Sequence, residues 1–242
     1  MESQFLRTYL LAILLLPAQQ VLAGQTFQHE GQPPQLIELY TSEGCSSCPP
    51  ADSYMSSLIN SPNLWKNIIP LAFHVDYWDY IGWPDRFAHP SYKQRQYSYR
   101  QAGRLRSVYT PGWVIDGNEW RGFFQGQQLP MQSSREGGKL KVDYENQQLD
   151  ITYKPKKSFE KLTAHIALIG FDQQSTVTAG ENRGRILKHQ FVVMNKQEKT
   201  QPNFQWQFRV PDSDVSRRHA LAIWVATPDF QILQAVAGWV EN

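Results

Sequence analysis

The 242-residue chain contains two cysteines, Cys45 and Cys48, and they stand as Cys45-Ser46-Ser47-Cys48. Two intervening residues let one turn of chain bring both sulfurs into bonding range while leaving the first exposed. Leu36-Ile37-Glu38-Leu39-Tyr40 precedes the pair and reads as a buried strand, with Thr41 to Gly44 as the turn leaving it. Beyond the pair, Ala51, Tyr54, Met55, Leu58 and Ile59 repeat at helical spacing and make one apolar face. A thiolate at the start of a helix is stabilised by free backbone N–H groups and the helix dipole, which makes it a nucleophile at neutral pH. In that chemistry Cys45 attacks or is attacked and forms the mixed disulfide, and Cys48 is the resolving thiol. Pro49 and Pro50 follow directly, and proline fits only the first helical turn. The helix is therefore expected to begin at Pro49 or Pro50, with the cysteines in an irregular lead-in turn. Pro49 also biases Cys48 away from helical angles.

Other uses of the pair compete with redox exchange. A purely structural bridge closes too small a loop to remove much unfolded-state entropy. A zinc site needs four ligands, and there is no second cysteine pair. A copper site built from both thiolates and a histidine such as His74 stays open. Disulfide exchange needs no diffusible cofactor and no metal. Its partners are protein thiols or disulfides and a redox partner protein.

The elements that must position the pair follow in order. Ile68 to Val75 is a second β-type run, and His74 within it reads as a core histidine. The loop at its carboxyl end carries Asp76, Trp78 and Asp79. The carboxyl ends of strands line the functional crevice of open α/β sheets, so these three are candidate substrate-binding residues. Ser91 to Arg104 reads as a helix started by Pro90-Ser91 and ended near Gly103. Over 91–106, Lys93, Arg95, Arg100, Arg104 and Arg106, interleaved with Tyr92, Tyr97 and Tyr99, read as a solvated helix face. Val108 to Gly117 gives a proline-initiated strand ending in an Asp-Gly turn, with Glu119 to Phe124 as hairpin partner. Ser133 to Gly138 reads as a linker. After it, short strands with turn residues between them predict an all-β, sandwich-like region.

Composition narrows the class. Hydrophobic residues make up 41% of the chain and charged residues 19%, as in folded globular proteins. A net charge of +2, spread along the sequence, argues against nucleic-acid or anionic-lipid partners. Residues 1–23 have a basic residue (Arg7), an apolar run ended by Pro17, and Val21-Leu22-Ala23 before Gly24, the order of a secretory signal. The run is shorter than the ~20 apolar residues needed to cross a bilayer, so no stable membrane insertion is expected after cleavage. The expected location is the periplasm or outside the cell, where disulfides persist.

The order strand, C-x-x-C, helix, strand, helix, Thr-Pro, hairpin resembles the thioredoxin superfamily. More closely, residues 36–52 (LIELYTSEGCSSCPPAD), 73–83 (FHVDYWDYIGW) and 108–117 (VYTPGWVIDG) resemble the secreted proteins grouped as domain of unknown function 1223. The resemblance extends to Gly180-Glu181-Asn182-Arg183-Gly184-Arg185 and His189. It implies an α/β thioredoxin-like domain over 24–134 followed by an all-β, sandwich-like domain over 135–242. It implies that Pro111 is a cis-proline facing a Cys45–Cys48 disulfide, and that the Thr110 backbone pairs with a bound substrate strand. It puts Glu38 near the place of a buried carboxylate that takes the proton of the resolving thiol, which requires a raised pKa. The function it supports is periplasmic thiol-disulfide exchange. The alternatives are a copper-binding chaperone and a thioredoxin-fold protein-binding module without redox turnover. The 180–185 loop, glycine-rich and charged, suits packing against the first region near the pair.

Overall fold

The computed structural model describes residues 24–130, 135–211 and 218–241. The signal-like segment 1–23 lies outside the described residues, as does part of the expected linker. The architecture is mixed α/β, with three sheets and two α-helices among the described residues.

Strands β2 (Gln35–Thr41) and β3 (Ile68–His74) are buried along their whole length. Continuous apolar runs of this kind belong in the middle of a sheet covered on both faces. The two pair in parallel, Gln35 opposite Ile68 and Thr41 opposite His74. On the outer side of β2 lies antiparallel β4 (Gly112–Ile115), which turns through Asp116-Gly117 into β5 (Asn118–Glu119). Both turn residues have positive φ (52° and 82°), the hairpin geometry an Asp-Gly pair favours. Gly117 is required for space as well, because a Cβ there would lie 2.2 Å from the Phe230 carbonyl oxygen.

The other side of β3 carries the later part of the chain. Val192, at the start of β11 (Val192–Gln201), pairs with Ala72 of β3. Then β8 (Leu162–Gly170), β13 (His219–Ala226) and β14 (Ile232–Trp239) extend the same sheet, giving the order β14-β13-β8-β11-β3-β2-β4-β5. One continuous eight-stranded sheet thus runs through both sequence regions. A four-stranded antiparallel sheet, β1 (Gln25–Glu30), β6 (Lys139–Glu145), β7 (Gln148–Lys154) and β12 (Gln205–Arg209), packs on the far half of the large one. Leu140, Val142, Leu149, Ile151, Trp206 and Phe208 meet Ile166, Leu168, Leu221 and Ile223 in a core of their own. The apolar residues that alternate with polar ones along β7 and β12 form the inner face of this pair of layers.

Two helices cover the near half. Helix α1 (Pro49–Ser57) buries Ala51, Asp52 and Met55. Helix α2 (Pro90–Gln101) starts at His89, whose side chain accepts from the Ser91 amide. It lies on the sheet face that bears Glu38, Tyr40, Phe73 and Trp224. The expected solvated face of α2 is corrected in part, because Tyr92, Arg95, Gln96 and Tyr99 are buried against the sheet. A short hairpin of β9 (Gln173–Thr176) and β10 (Ile186–His189) leaves the end of β8, passes over α1, and carries the 177–185 loop at its tip.

Candidate functional site

Cys45 and Cys48 are joined as a disulfide with Cα atoms 5.4 Å apart, inside the usual range for such bridges. The turn that holds them is closed by backbone bonds. The Cys45 amide donates to the Ser42 carbonyl and the Cys48 amide to the Cys45 carbonyl. Cys48 is the residue before the helix, and α1 begins at Pro49, so the cysteines do occupy a lead-in turn. Cys48 nevertheless has helical angles (φ −78°, ψ −35°), contrary to the bias from Pro49. Its carbonyl accepts from the Ala51 and Asp52 amides, and these bonds hold it in place.

The first cysteine is not exposed as its motif suggests. Cys45 is 1% and Cys48 0% exposed. The covering group is the loop after β9. The Asn182 side chain, itself wholly buried, donates to the Glu43 carbonyl at 2.8 Å and to the Cys45 carbonyl at 3.0 Å. The Glu181 carboxylate accepts from the Ser46 amide at 3.1 Å. Gly180 lies against Ile81 and Trp83, where a Cβ would come within 3.5 Å of both side chains. The glycine-rich charged loop legible at 180–185 therefore packs on the cysteine turn.

Behind the pair lies a buried cluster of acids and imidazoles. Asp85 accepts from the Glu43 amide at 2.8 Å, and His74 Nδ1 lies 2.6 Å from its Oδ2. Glu43 accepts from the Trp83 indole at 2.8 Å and lies 3.3 Å from His189 Nε2. The two imidazoles meet edge to face at 4.9 Å between centroids. Asp52 of α1 faces both imidazoles and Thr41. Burial pushes the Asp52 carboxyl above the usual range, and the nearby histidines only partly offset it. Burial opposes charge on His74, but the charge and hydrogen bond of Asp85 outweigh it and raise its pKa. Asp85 and Glu43 are both pushed up by burial and brought below the usual range by their partners, His74 for the first and His189 for the second.

The other residues singled out in the sequence are placed as follows. Glu38 is buried on the opposite face of β2 from Thr41, because successive side chains alternate. Arg95 donates to both its oxygens at 2.9 Å, Tyr99 to one at 2.6 Å, and Tyr40 to the other at 2.8 Å. Burial raises its pKa, yet Arg95 and the two phenols outweigh burial and lower it overall. The raised pKa expected of Glu38 is therefore not found there, whereas Asp52, four residues after Cys48, is pushed up by burial. The Thr110–Pro111 peptide is cis. Trp78 links it to the cysteine turn: the indole donates to Thr110 Oγ1 at 2.7 Å, and a Cβ at Gly44 would lie 2.9 Å from Trp78 Cβ. Asp76 turns towards α2 and pairs with Lys93 at 2.9 Å. Asp79 accepts from the Asp85 amide at 3.1 Å and so braces the loop that carries Asp85. Among the described residues, no group of three or more histidine, cysteine, aspartate or glutamate side chains is arranged to hold a metal ion.

A family model described as a protein of unknown function, DUF1223, matches residues 36–226, which span every part of this site. The chain belongs to the DUF1223 family. Glu43, Asp52, Asp85, Asn182 and His189 all fall within the matched segment. Two solved structures share the fold. Protein AGR_C_4864 from Agrobacterium tumefaciens is 22% identical, with a TM-score of 0.58, over 88% of this chain and 96% of that one. HBP35 of Porphyromonas gingivalis is 11% identical, with a TM-score of 0.51, over 86% of this chain and 75% of that one. No curated protein matches the chain by sequence.

Asp52 was within reach of sequence reasoning. It sits four residues after Cys48, on the face of α1 that also carries Ala51 and Met55. A charged residue among buried helical positions is the available signal. Glu43 and Asp85 carry no such mark, because turn and loop residues are ordinarily polar.

Proposed function

We propose that this protein is an exported thiol-disulfide oxidoreductase that exchanges disulfides with protein thiols through Cys45 and Cys48. The observation that carries the reading is the Cys45–Cys48 disulfide at the carboxyl end of a central parallel strand and at the start of α1. The cis Thr110–Pro111 peptide, joined to the cysteine turn through Trp78, and the Asp52 carboxyl one turn into the helix support it. Together these features fit a thioredoxin-like arrangement, with the chain after residue 134 as a second, β-rich domain.

The exchange balances without a cofactor. A thiolate of a partner dithiol attacks Cys45 Sγ, and the Cys45–Cys48 bond breaks. Cys48 leaves with the bonding electrons and takes up a proton. The partner's second thiol then attacks the mixed disulfide and releases Cys45. The partner loses two electrons and two protons, and this protein gains them. The reverse sequence reduces a partner disulfide, with the relative reduction potentials setting the direction. Asp52 is placed to give or take the Cys48 proton, since a carboxyl with a raised pKa carries a proton nearer to neutral pH. The Cys48→Ser variant tests the reading. It should trap a mixed disulfide through Cys45 with a disulfide-bonded peptide, and Cys45→Ser should trap none. Failure of the native, reduced protein to exchange with any such peptide overturns it.

Burial of both cysteines favours a second reading, a protein-binding module in which the bridge is inert. In that case Cys45→Ser would keep full biological activity in cells.

A further inference from the structure

The start of α1 offers a Cys45 thiolate few donors. Pro49 and Pro50 fill its first two positions and carry no N–H, and no side chain caps the helix. The Ala51 and Asp52 amides are both spent on the Cys48 carbonyl. The Cys45 and Cys48 amides close the turn itself. The Ser46 amide, next in line to the sulfur, is taken by Glu181 at 3.1 Å. The same carboxylate binds the Ser46 hydroxyl, and these bonds hold its pKa below the usual range, so it is ionised at neutral pH. Asn182 fixes its position, because its side-chain amide bridges the Glu43 and Cys45 carbonyls in full burial. Ser47 remains a nearby donor, with its Oγ 3.4 Å from Cys45 Sγ.

We infer that Glu181, held in place by Asn182, sets the reactivity of the cysteine pair: its carboxylate occupies the Ser46 amide and disfavours a Cys45 thiolate, so the pair rests as the disulfide while the 180–185 loop is seated. The inference deepens the exchange reading and rests on it. Two effects add in the same direction. A neighbouring negative charge opposes a second one, and the amide that would stabilise the thiolate is already engaged. Glu181 and Asn182 present an acceptor to the Ser46 amide and a donor to the Cys45 carbonyl, the pattern an extended peptide backbone offers. A protein partner with an extended segment beside its cysteine can therefore replace the loop bond for bond. In doing so it uncovers the sulfurs and removes the carboxylate.

The test uses full-length protein and two readouts. One is the rate of Cys45 alkylation by iodoacetamide at pH 7 after reduction with dithiothreitol, which itself closes to the cyclic disulfide. The other is the equilibrium of the pair with reduced and oxidised glutathione. Glu181→Gln should raise the alkylation rate and shift the equilibrium towards the dithiol, each by about two- to five-fold, the effect of one charge near a helix N-terminus. Asn182→Ala should move both in the same direction and further. Glu160→Gln, an equal charge change at an exposed loop position, should move neither. Glu181→Gln rates and equilibria that match those of Glu160→Gln overturn the inference. If the folded wild-type pair never equilibrates with glutathione, the exchange reading fails instead. The alkylation rates then still decide the role of Glu181.

Discussion

The two faces of strand β2 carry the same kinds of side chain and use them in opposite ways. On the α2 face, Glu38 has both oxygens taken, by Arg95, Tyr99 and Tyr40, and the guanidinium lies 4.9 Å from the Tyr99 ring and 5.3 Å from Trp224. On the α1 face, Asp52 is pushed towards its neutral form, and buried His74 Nε2 and Asn182 Oδ1 have no hydrogen-bond partner among the described residues. The Glu38 carboxylate is saturated, although Arg95 Nη1 has no hydrogen-bond partner among the described residues, and removing either member of the pair leaves a buried charge behind. Buried polar groups without partners cost free energy, so the α1-face cluster is held less firmly, and it joins the cysteine turn through Glu43. In the proposed exchange, the contrast separates a carboxylate that holds the fold from one that handles a proton.

The largest expected effect breaks the first face. Glu38→Ala leaves Arg95 buried and unpaired, and it should lower stability by about 3–5 kcal/mol in urea denaturation. Disulfide exchange by the protein that remains folded should not change. A loss of exchange at unchanged stability would reverse the assignment of the two faces.

The second prediction concerns the other face. Asp52→Asn removes the group placed to handle the Cys48 proton and should slow exchange about 100-fold, the lower end for a positioned acid or base. Its effect on stability has the opposite sign to that of Glu38→Ala. A carboxyl whose pKa is raised by folding costs the folded state increasingly as pH rises from its unfolded value through its folded one. Asn cannot ionise, so the variant should gain on wild type as pH rises through that window, read as the difference in Tm.

The pH dependence of the Glu38 pair sharpens the comparison further. Folding lowers the Glu38 pKa, so its contribution is complete above the unfolded value of about 4.3 and is lost as pH falls through the folded one. The stability gap between wild type and Glu38→Gln should therefore be full at pH 6 and shrink in acid. The smallest effect is that of Tyr99→Phe, which removes the hydroxyl that donates to Glu38 and accepts from Arg95; with the ion pair left in place it should cost about 1.5–3 kcal/mol in the same denaturation experiment.

Much of this was legible locally. The strand 36–40, the apolar face of α1 and the Asp116-Gly117 hairpin are written in periodicity and turn chemistry over a few residues. The partners of those elements are not. Arg95 lies 57 residues from Glu38, and Asn182 lies 137 residues from Cys45. Nothing local distinguishes Glu38, which its partners hold ionised, from Asp52, which burial pushes towards its neutral form. The Val192–Ala72 pairing that merges the later strands with the first sheet is likewise non-local, and the apolar runs of β8, β11 and β13 are equally compatible with a separate sandwich. The burial of Cys45 follows from that same long-range packing. A C-x-x-C spacing describes only the turn, not what covers it.

The central claim is that Cys45 and Cys48 exchange while the protein is folded. It is tested most directly by equilibrating native protein in glutathione buffers of graded ratio, quenching with an alkylating agent and counting thiols by mass. The account predicts one two-electron transition per chain in the absence of denaturant, removed by Cys45→Ser. A disulfide that stays intact at every ratio until denaturant is added would contradict it.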